Sequence, residues 1–200
     1  MSDTDSHKEA MQKLQAEQKA KIKDSKHIDR GLVLVHTGDG KGKSSSAFGV
    51  VARALGWGHQ VAVVQFIKGT WKTGEREFFK RFPDQLDWHT MGEGFTWNTQ
   101  DKDRDIEAAT AAFTTATTLM HDGKYDLVVL DEINIALRYD YLDVSTVTQA
   151  IMARSQRTSV IATGRDAKQE LMDVADLVSE MKEIKHPFKS GIKAKQGIDF

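Results

Sequence analysis

The stretch GLVLVHTGDGKGKSSSAFGV, residues 31–50, joins an apolar run, a glycine-rich loop and the start of a helical pattern. Residues 31–38 predict a buried β-strand, and residues 44–55 place apolar side chains on one helix face. The glycines between them let successive backbone N–H groups converge on an anion at the positive end of the helix. This order of elements is typical of a phosphate-binding loop.

The loop departs from the common pattern G-x-x-x-x-G-K-[ST], because Thr37 stands where its first glycine is expected. An ordinary glycine-rich turn is therefore an alternative interpretation. The strand–loop–helix setting favours nucleotide binding, with Lys43 and Lys41 as cations for a phosphate chain. The residues expected to contact the phosphates are Gly38, Asp39, Gly40, Lys41, Gly42, Lys43, Ser44 and Ser45.

The remaining chain alternates short apolar runs with helical patterns. Apolar strands without polar alternation, separated by helices, predict a mainly parallel sheet covered on both faces. We expect an α/β fold of the P-loop NTPase-like (RecA-like) type, in a single domain over residues 31–200. Further strands are predicted at 60–69, 86–91, 125–133, 158–164 and 178–184, and helices at 103–120, 144–154 and 167–178.

The apolar run at 127–132 ends in Asp131 and Glu132. Ligands of parallel α/β sheets bind at the carboxyl ends of the strands. Both acids are therefore expected to face a phosphate-bound Mg²⁺, which the Ser44 hydroxyl would also hold. The sequence leaves open which acid touches the ion directly.

Composition excludes several classes of function. Lys and Arg total 28 against 29 for Asp and Glu, so the net charge of −1 provides no general attraction to nucleic acid or anionic lipid. The absence of cysteine excludes disulfides, thiolate metal sites and cysteine nucleophiles. No apolar run approaches the roughly 20 residues of a membrane helix, and no signal-like core is present. We expect a cytoplasmic protein that binds neither nucleic acid nor membrane.

Residues 1–30 form a charged arm with a thin apolar stripe of Met11, Leu14 and Ile22. The stripe fits two interpretations. The arm is a solvated helix or partly disordered segment, or it covers a bound partner.

Six motifs together resemble the P-loop class of ATP:cob(I)alamin adenosyltransferases, the CobA/BtuR family. That family's loop has the form G-[ND]-G-K-G-K-[ST], which accounts for the departure from the common pattern. The motifs are TGDGKGKSS (37–45), VVQFIKGTW (63–71), GFTW (94–97), VVLDE (128–132), TGR (163–165) and IKHPFKSGIKAKQGIDF (184–200).

The resemblance implies that Co(I) of a reduced corrinoid attacks C5′ of ATP and expels triphosphate. Lys41 and Lys43 would be catalytic, because they would screen the leaving charge together with Mg²⁺. ATP would lie reversed in the loop, with its γ-phosphate deepest and C5′ turned outward. The resemblance also implies a homodimer and a flavoprotein electron donor.

The same resemblance assigns roles to three further residues. Phe95 and Trp97 would be catalytic by packing against the corrin ring and displacing its lower axial base; alternatively they are core aromatics. Arg53 would contact the nucleoside, or is a solvated helix residue. Apart from the resemblance, Arg165 follows a predicted strand at the ligand edge of the sheet, where it would meet phosphate or a corrinoid carboxamide, or forms a structural salt bridge. His186 has no expected role beyond packing.

Two other functions remain compatible with the loop. One is a P-loop ATPase or kinase, and the other is an ATP-gated corrinoid carrier or sensor that does not turn over.

Overall fold

The computed structural model describes residues 3–25, 28–67, 72–91 and 101–199. In these ranges one sheet of six strands, all paired in parallel, follows the order β3-β2-β4-β5-β1-β6. This arrangement confirms the predicted mainly parallel α/β fold. The strands are β1 Val33–Thr37, β2 Val61–Gln65, β3 Leu86–Thr90, β4 Leu127–Asp131, β5 Ser159–Thr163 and β6 Leu177–Glu180.

Helices cover both faces of the sheet, because its strands are apolar on both sides. The helix α2 buries Ala47, Phe48, Val51, Ala54 and Leu55 against one face, together with α3. Helices α4 to α7 cover the other face. The helices are α1 Asp3–Asp24, α2 Lys43–Gly56, α3 Gly74–Phe79, α4 Lys102–His121, α5 Ile133–Arg138, α6 Val144–Met152 and α7 Gln169–Asp173, and a 3₁₀ turn spans Pro187–Ser190.

Strand order determines where the site forms. The strand β5 lies between β1, which leads into the phosphate loop, and β4, which leads into the two acids. Since all strands are parallel, their carboxyl ends meet at one edge. The register aligns Gln65 with Asp131 and His36 with Thr163 at that edge.

Several predicted elements were longer than the observed ones, including the strands predicted at 60–69 and 178–184, which end at Gln65 and Glu180. The strand predicted at 125–133 ends at Asp131, because Glu132 adopts a left-handed φ of 66° and starts α5. The helix predicted at 167–178 is wrong beyond Asp173. The Asp176 carboxylate accepts a hydrogen bond from the Val33 N–H at 2.9 Å, which helps to align the following residues beside β1 as β6.

The N-terminal arm forms the helix α1, and its described side chains from Ser6 onward are exposed. The apolar stripe of Met11, Leu14 and Ile22 is therefore uncovered. The boundary of the arm near residue 30, and its possible partner, remain predictions. In the described ranges, no helix combines the length and apolar character needed to span a membrane.

Candidate functional site

The phosphate loop connects β1 to α2 through two glycines with left-handed backbones. Gly38 has a φ of 94° and Gly42 a φ of 113°, conformations that side-chain-bearing residues rarely adopt. No side chain caps the N-terminus of α2. The N–H groups of its first turn, including those of the partly buried Ser44 and the exposed Ser45, therefore point at the space where an anion would bind.

The chain after β6 braces this loop. The Gly40 N–H donates to the Met181 carbonyl at 2.7 Å, and the Met181 N–H donates to the Thr37 carbonyl at 2.8 Å. A Cβ atom on Gly38 would lie 2.5 Å from the Met181 oxygen, and one on Gly40 would lie 2.8 Å from the Lys182 oxygen. Both glycines are therefore required by close packing.

Lys43 lies inside the loop and is only 7% exposed. Its Nζ donates to the carbonyls of Gly38 and Gly40, each at 2.7 Å. Burial lowers the pKa of Lys43, and the negative charge of Glu132 opposes that change. Lys43 in the loop and Glu132 after β4 are thus close enough to interact electrostatically.

Lys41 is directed elsewhere in this structure. Its Nζ lies 2.8 Å from the Asp199 carboxylate, which also accepts a hydrogen bond from the Lys195 N–H at 2.9 Å. The hydrogen bond from Lys41 holds the pKa of Asp199 below its ordinary value. Lys41 therefore ties the C-terminal segment to the loop.

The two acids at the end of β4 differ sharply in environment. Asp131 is fully buried, and its two oxygens accept hydrogen bonds from Gln65 Nε2 and Thr163 Oγ1, both at 2.9 Å. Glu132 is only partly buried, and a Cβ atom on Gly164 would lie 3.2 Å from its Oε2. Glu132 is thus the more accessible carboxylate for a ligand.

The donor set fits Mg²⁺ bound together with a phosphate chain. The Glu132 carboxylate and the Ser44 hydroxyl are hard oxygen groups of the kind that would bind Mg²⁺. Among the described residues, no group of three or more His, Cys, Asp or Glu side chains could hold a metal by itself. Mg²⁺ commonly uses one or two carboxylates and completes its shell with substrate phosphates and water.

Arg165 borders the same loop. Its Nε lies 3.9 Å from the Asp39 carboxylate, and its Nη2 lies 3.5 Å from the Asp39 carbonyl. The two residues border an open cleft of about 480 Å³, lined also by Glu180, Lys182, Glu183 and Lys189. The structure contains an ion pair between Arg165 and Asp39, and a contact of Arg165 with phosphate or a corrinoid carboxamide stays a prediction.

The other predicted site residues lie farther from the phosphate loop or outside the described ranges. Arg53 is exposed in the last turn of α2. It lies about 15 Å along the helix axis from Lys43, at the usual helical rise. Phe95 and Trp97 fall within residues 92–100, which are outside the described residues.

His186 has a role that the sequence analysis missed, since its Nδ1 accepts a hydrogen bond from the Phe188 N–H at 3.2 Å.

Sequence reasoning also missed Gln65 and the side chain of Thr163. Both are buried polar residues at the last position of a strand, directly after a run of apolar residues. A polar residue in that position was the available signal, because the carboxyl ends of such strands form the ligand edge.

Comparison with known proteins gives a consistent result. The family model of ATP:corrinoid adenosyltransferases BtuR/CobO/CobP matches residues 29–200. A corrinoid adenosyltransferase of Pseudomonas aeruginosa is 52% identical over 194 residues, which cover 97% of this chain and 95% of the relative. The corrinoid adenosyltransferase CobA of Salmonella typhimurium is 44% identical over 172 residues, covering 86% of this chain and 87% of the relative. A corrinoid adenosyltransferase of Escherichia coli is 42% identical with the same coverage.

Proposed function

Because this chain belongs to the ATP:corrinoid adenosyltransferase family, we propose that it transfers the 5′-deoxyadenosyl group of ATP to Co(I) of a reduced corrinoid. The observation that carries the proposal is the phosphate loop itself. It has the family's G-D-G-K-G-K-S form, and its buried lysine lies in the electrostatic field of Glu132 at the edge of a parallel sheet.

The reaction forms a Co–C5′ bond and breaks the bond between C5′ and the triphosphate oxygen. Cobalt supplies the electron pair of the new bond, and the departing triphosphate keeps the pair of the broken bond. The substrate thus provides its own nucleophile, so the protein needs only to position C5′ and stabilise the leaving group.

Negative charge grows on the triphosphate as the bond breaks. The Lys43 ammonium and the first N–H groups of α2 would stabilise that charge. Glu132 and the Ser44 hydroxyl would hold Mg²⁺, which when bound neutralises part of the charge on the phosphate chain. Binding of ATP with its γ-phosphate deepest would leave C5′ facing outward.

One assay tests the proposal against both alternatives. The protein is incubated with ATP, Mg²⁺ and chemically reduced corrinoid, and the phosphorus product is identified by ³¹P NMR. Inorganic triphosphate is the expected product. Orthophosphate or ADP would instead indicate an ATPase or kinase, and unchanged ATP would indicate a carrier.

Three further features are proposed from the family resemblance. They are a homodimer, a flavoprotein that delivers the electron to cobalt, and a cytoplasmic location.

The two acids should respond differently to removal of charge. Glu132→Gln is expected to raise the Mg²⁺ concentration for half-maximal rate by about tenfold or more, because an amide is a poorer ligand for a hard cation. Asp131→Asn should chiefly lower the melting temperature. The NH₂ group of the new asparagine would face one of the two hydrogen-bond donors, Gln65 Nε2 or Thr163 Oγ1, that now donate to the Asp131 carboxylate. Rates against Mg²⁺ concentration and melting curves measure the two effects. Unchanged metal dependence in a folded Glu132→Gln protein would contradict the assignment.

Deletion of residues 1–28 should separate the two interpretations of the arm. The sheet should survive, because β1 starts at Val33. If the arm covers the corrinoid, the deletion will raise the corrinoid KM more than the ATP KM. A matched control keeps the helix and replaces Met11, Leu14 and Ile22 with Ser, which should reproduce the effect. Unchanged values for both substrates would indicate a solvated arm.

A further inference from the structure

A chain of side-chain hydrogen bonds crosses the carboxyl edge of the sheet and ends at the proposed metal ligand. It links four neighbouring strands, and its central members are buried. Its members, in order from β3 to β5, are Trp88 and Thr90, Gln65, Asp131 and Thr163.

Gln65 is locked in one orientation by its neighbours on β3. Its Oε1 accepts hydrogen bonds from Trp88 Nε1 at 3.0 Å and from Thr90 Oγ1 at 3.2 Å. The indole N–H can only donate, so a flipped amide would place two N–H groups against each other. The Gln65 NH₂ group is therefore held toward Asp131, which accepts its hydrogen bond at 2.9 Å.

Thr163 joins both acids. Its Oγ1 accepts a hydrogen bond from the Glu132 N–H at 2.9 Å, and its hydroxyl donates to Asp131 Oδ1, also at 2.9 Å. Glu132 has a left-handed φ of 66°, which is strained for a residue with a side chain. The hydrogen bond to Thr163 holds the Glu132 backbone in that conformation and so sets the direction in which the Glu132 side chain leaves the backbone.

We propose that Thr163 and Gln65 are positioning residues that set the metal affinity of the site without touching the metal or the nucleotide. Thr163 holds the Glu132 backbone, and Gln65 and Thr163 together hold Asp131 beside it. This inference rests on the proposed function, because it takes Glu132 as a ligand of Mg²⁺ bound with ATP.

The test measures how strongly Mg²⁺ promotes ATP binding, with no corrinoid and no turnover. Calorimetric titrations give the Kd of ATP in excess Mg²⁺ and in EDTA, and the ratio of the two values is the metal linkage. Thr163→Val keeps the shape of the side chain and removes both hydrogen bonds. We expect it to reduce the linkage about 10- to 100-fold, as is typical when groups that orient metal ligands are lost.

Thr163→Ser is the matched control. It retains the hydroxyl, so its linkage should stay close to that of the wild type. A merely structural role for Thr163 would lower the melting temperature and weaken ATP binding equally with and without Mg²⁺. An unchanged linkage in a folded Thr163→Val protein would therefore overturn the inference.

Gln65→Met provides a second variant if Thr163→Val does not fold. It has a similar length and removes the donor to Asp131, so it should also reduce the linkage. A folded Gln65→Met protein with the linkage of the wild type would overturn the inference. A wild-type protein whose ATP affinity is the same with and without Mg²⁺ would instead contradict the proposed metal site.

Discussion

Lys43→Ala is expected to lower the rate of triphosphate release about tenfold to a hundredfold or more, while the sheet remains folded. A charge-assisted hydrogen bond to a phosphate is worth roughly 1.5 to 3 kcal/mol, and about 1.4 kcal/mol corresponds to a factor of ten. The structure adds a second reason. Lys43 Nζ also bridges the carbonyls of Gly38 and Gly40, so its removal leaves the loop without this internal connection.

The matched control for Lys43→Ala is Lys43→Met, which keeps an unbranched side chain in a site that is only 7% exposed but removes the charge. Similar losses in both variants would assign the effect to the ammonium. Melting curves establish that each protein is folded. Wild-type turnover in a folded Lys43→Ala protein would exclude the loop lysine from the mechanism.

The Phe95→Ala, Trp97→Ala double variant is expected to lose activity chiefly when the corrinoid enters as Co(II). These residues lie in the motif GFTW, outside the described residues, and the prediction rests on the family resemblance. If they displace the lower axial ligand of cobalt, their removal makes reduction in the site harder. Chemically prepared Co(I) bypasses that step and should restore the rate.

If Phe95 and Trp97 are core aromatics instead, the double variant would lose stability and would be impaired with both cobalt states. Truncating each would cost roughly 3 to 5 kcal/mol of stability and would impair both assays alike. Trp57→Ala is a useful control, because Trp57 is 79% exposed and its loss should affect neither assay. An equal loss of activity with Co(II) and Co(I), together with a large fall in melting temperature, would indicate that Phe95 and Trp97 are core aromatics.

Local patterns predicted the parts of the fold that depend on neighbouring residues. The strand, loop and helix around residues 31–55 follow from apolar periodicity and from glycine placement, and the structure has them close to the predicted bounds. The strand that ends at Asp131 was predicted too long, because apolar residues resume at Ile133, directly after the two acids, where α5 begins. Only the backbone turn at Glu132 separates the two elements.

Contacts between distant segments carried no local signal. The pairing of Lys41 with Asp199 joins the loop to the C-terminal segment, and nothing near either residue indicates it. The difference between Asp131 and Glu132 also depends on distant residues, since Gln65 and Thr163 lie on other strands. The sequence placed both acids at one edge but could not distinguish their roles.

The position of β1 in the sheet has a consequence for synthesis of the chain. Among the described residues this strand pairs only with β5 and β6, and Val33 lies beside Val160. At about 5 to 20 residues per second, a ribosome needs about 6 to 25 s to make the residues between those partners. During that time the strand has no neighbour, and the adjoining loop lacks Met181, which braces it. Nascent chains that stop before Ser159 should therefore be unable to bind ATP, and the nucleotide should not assist folding until β5 has been synthesised.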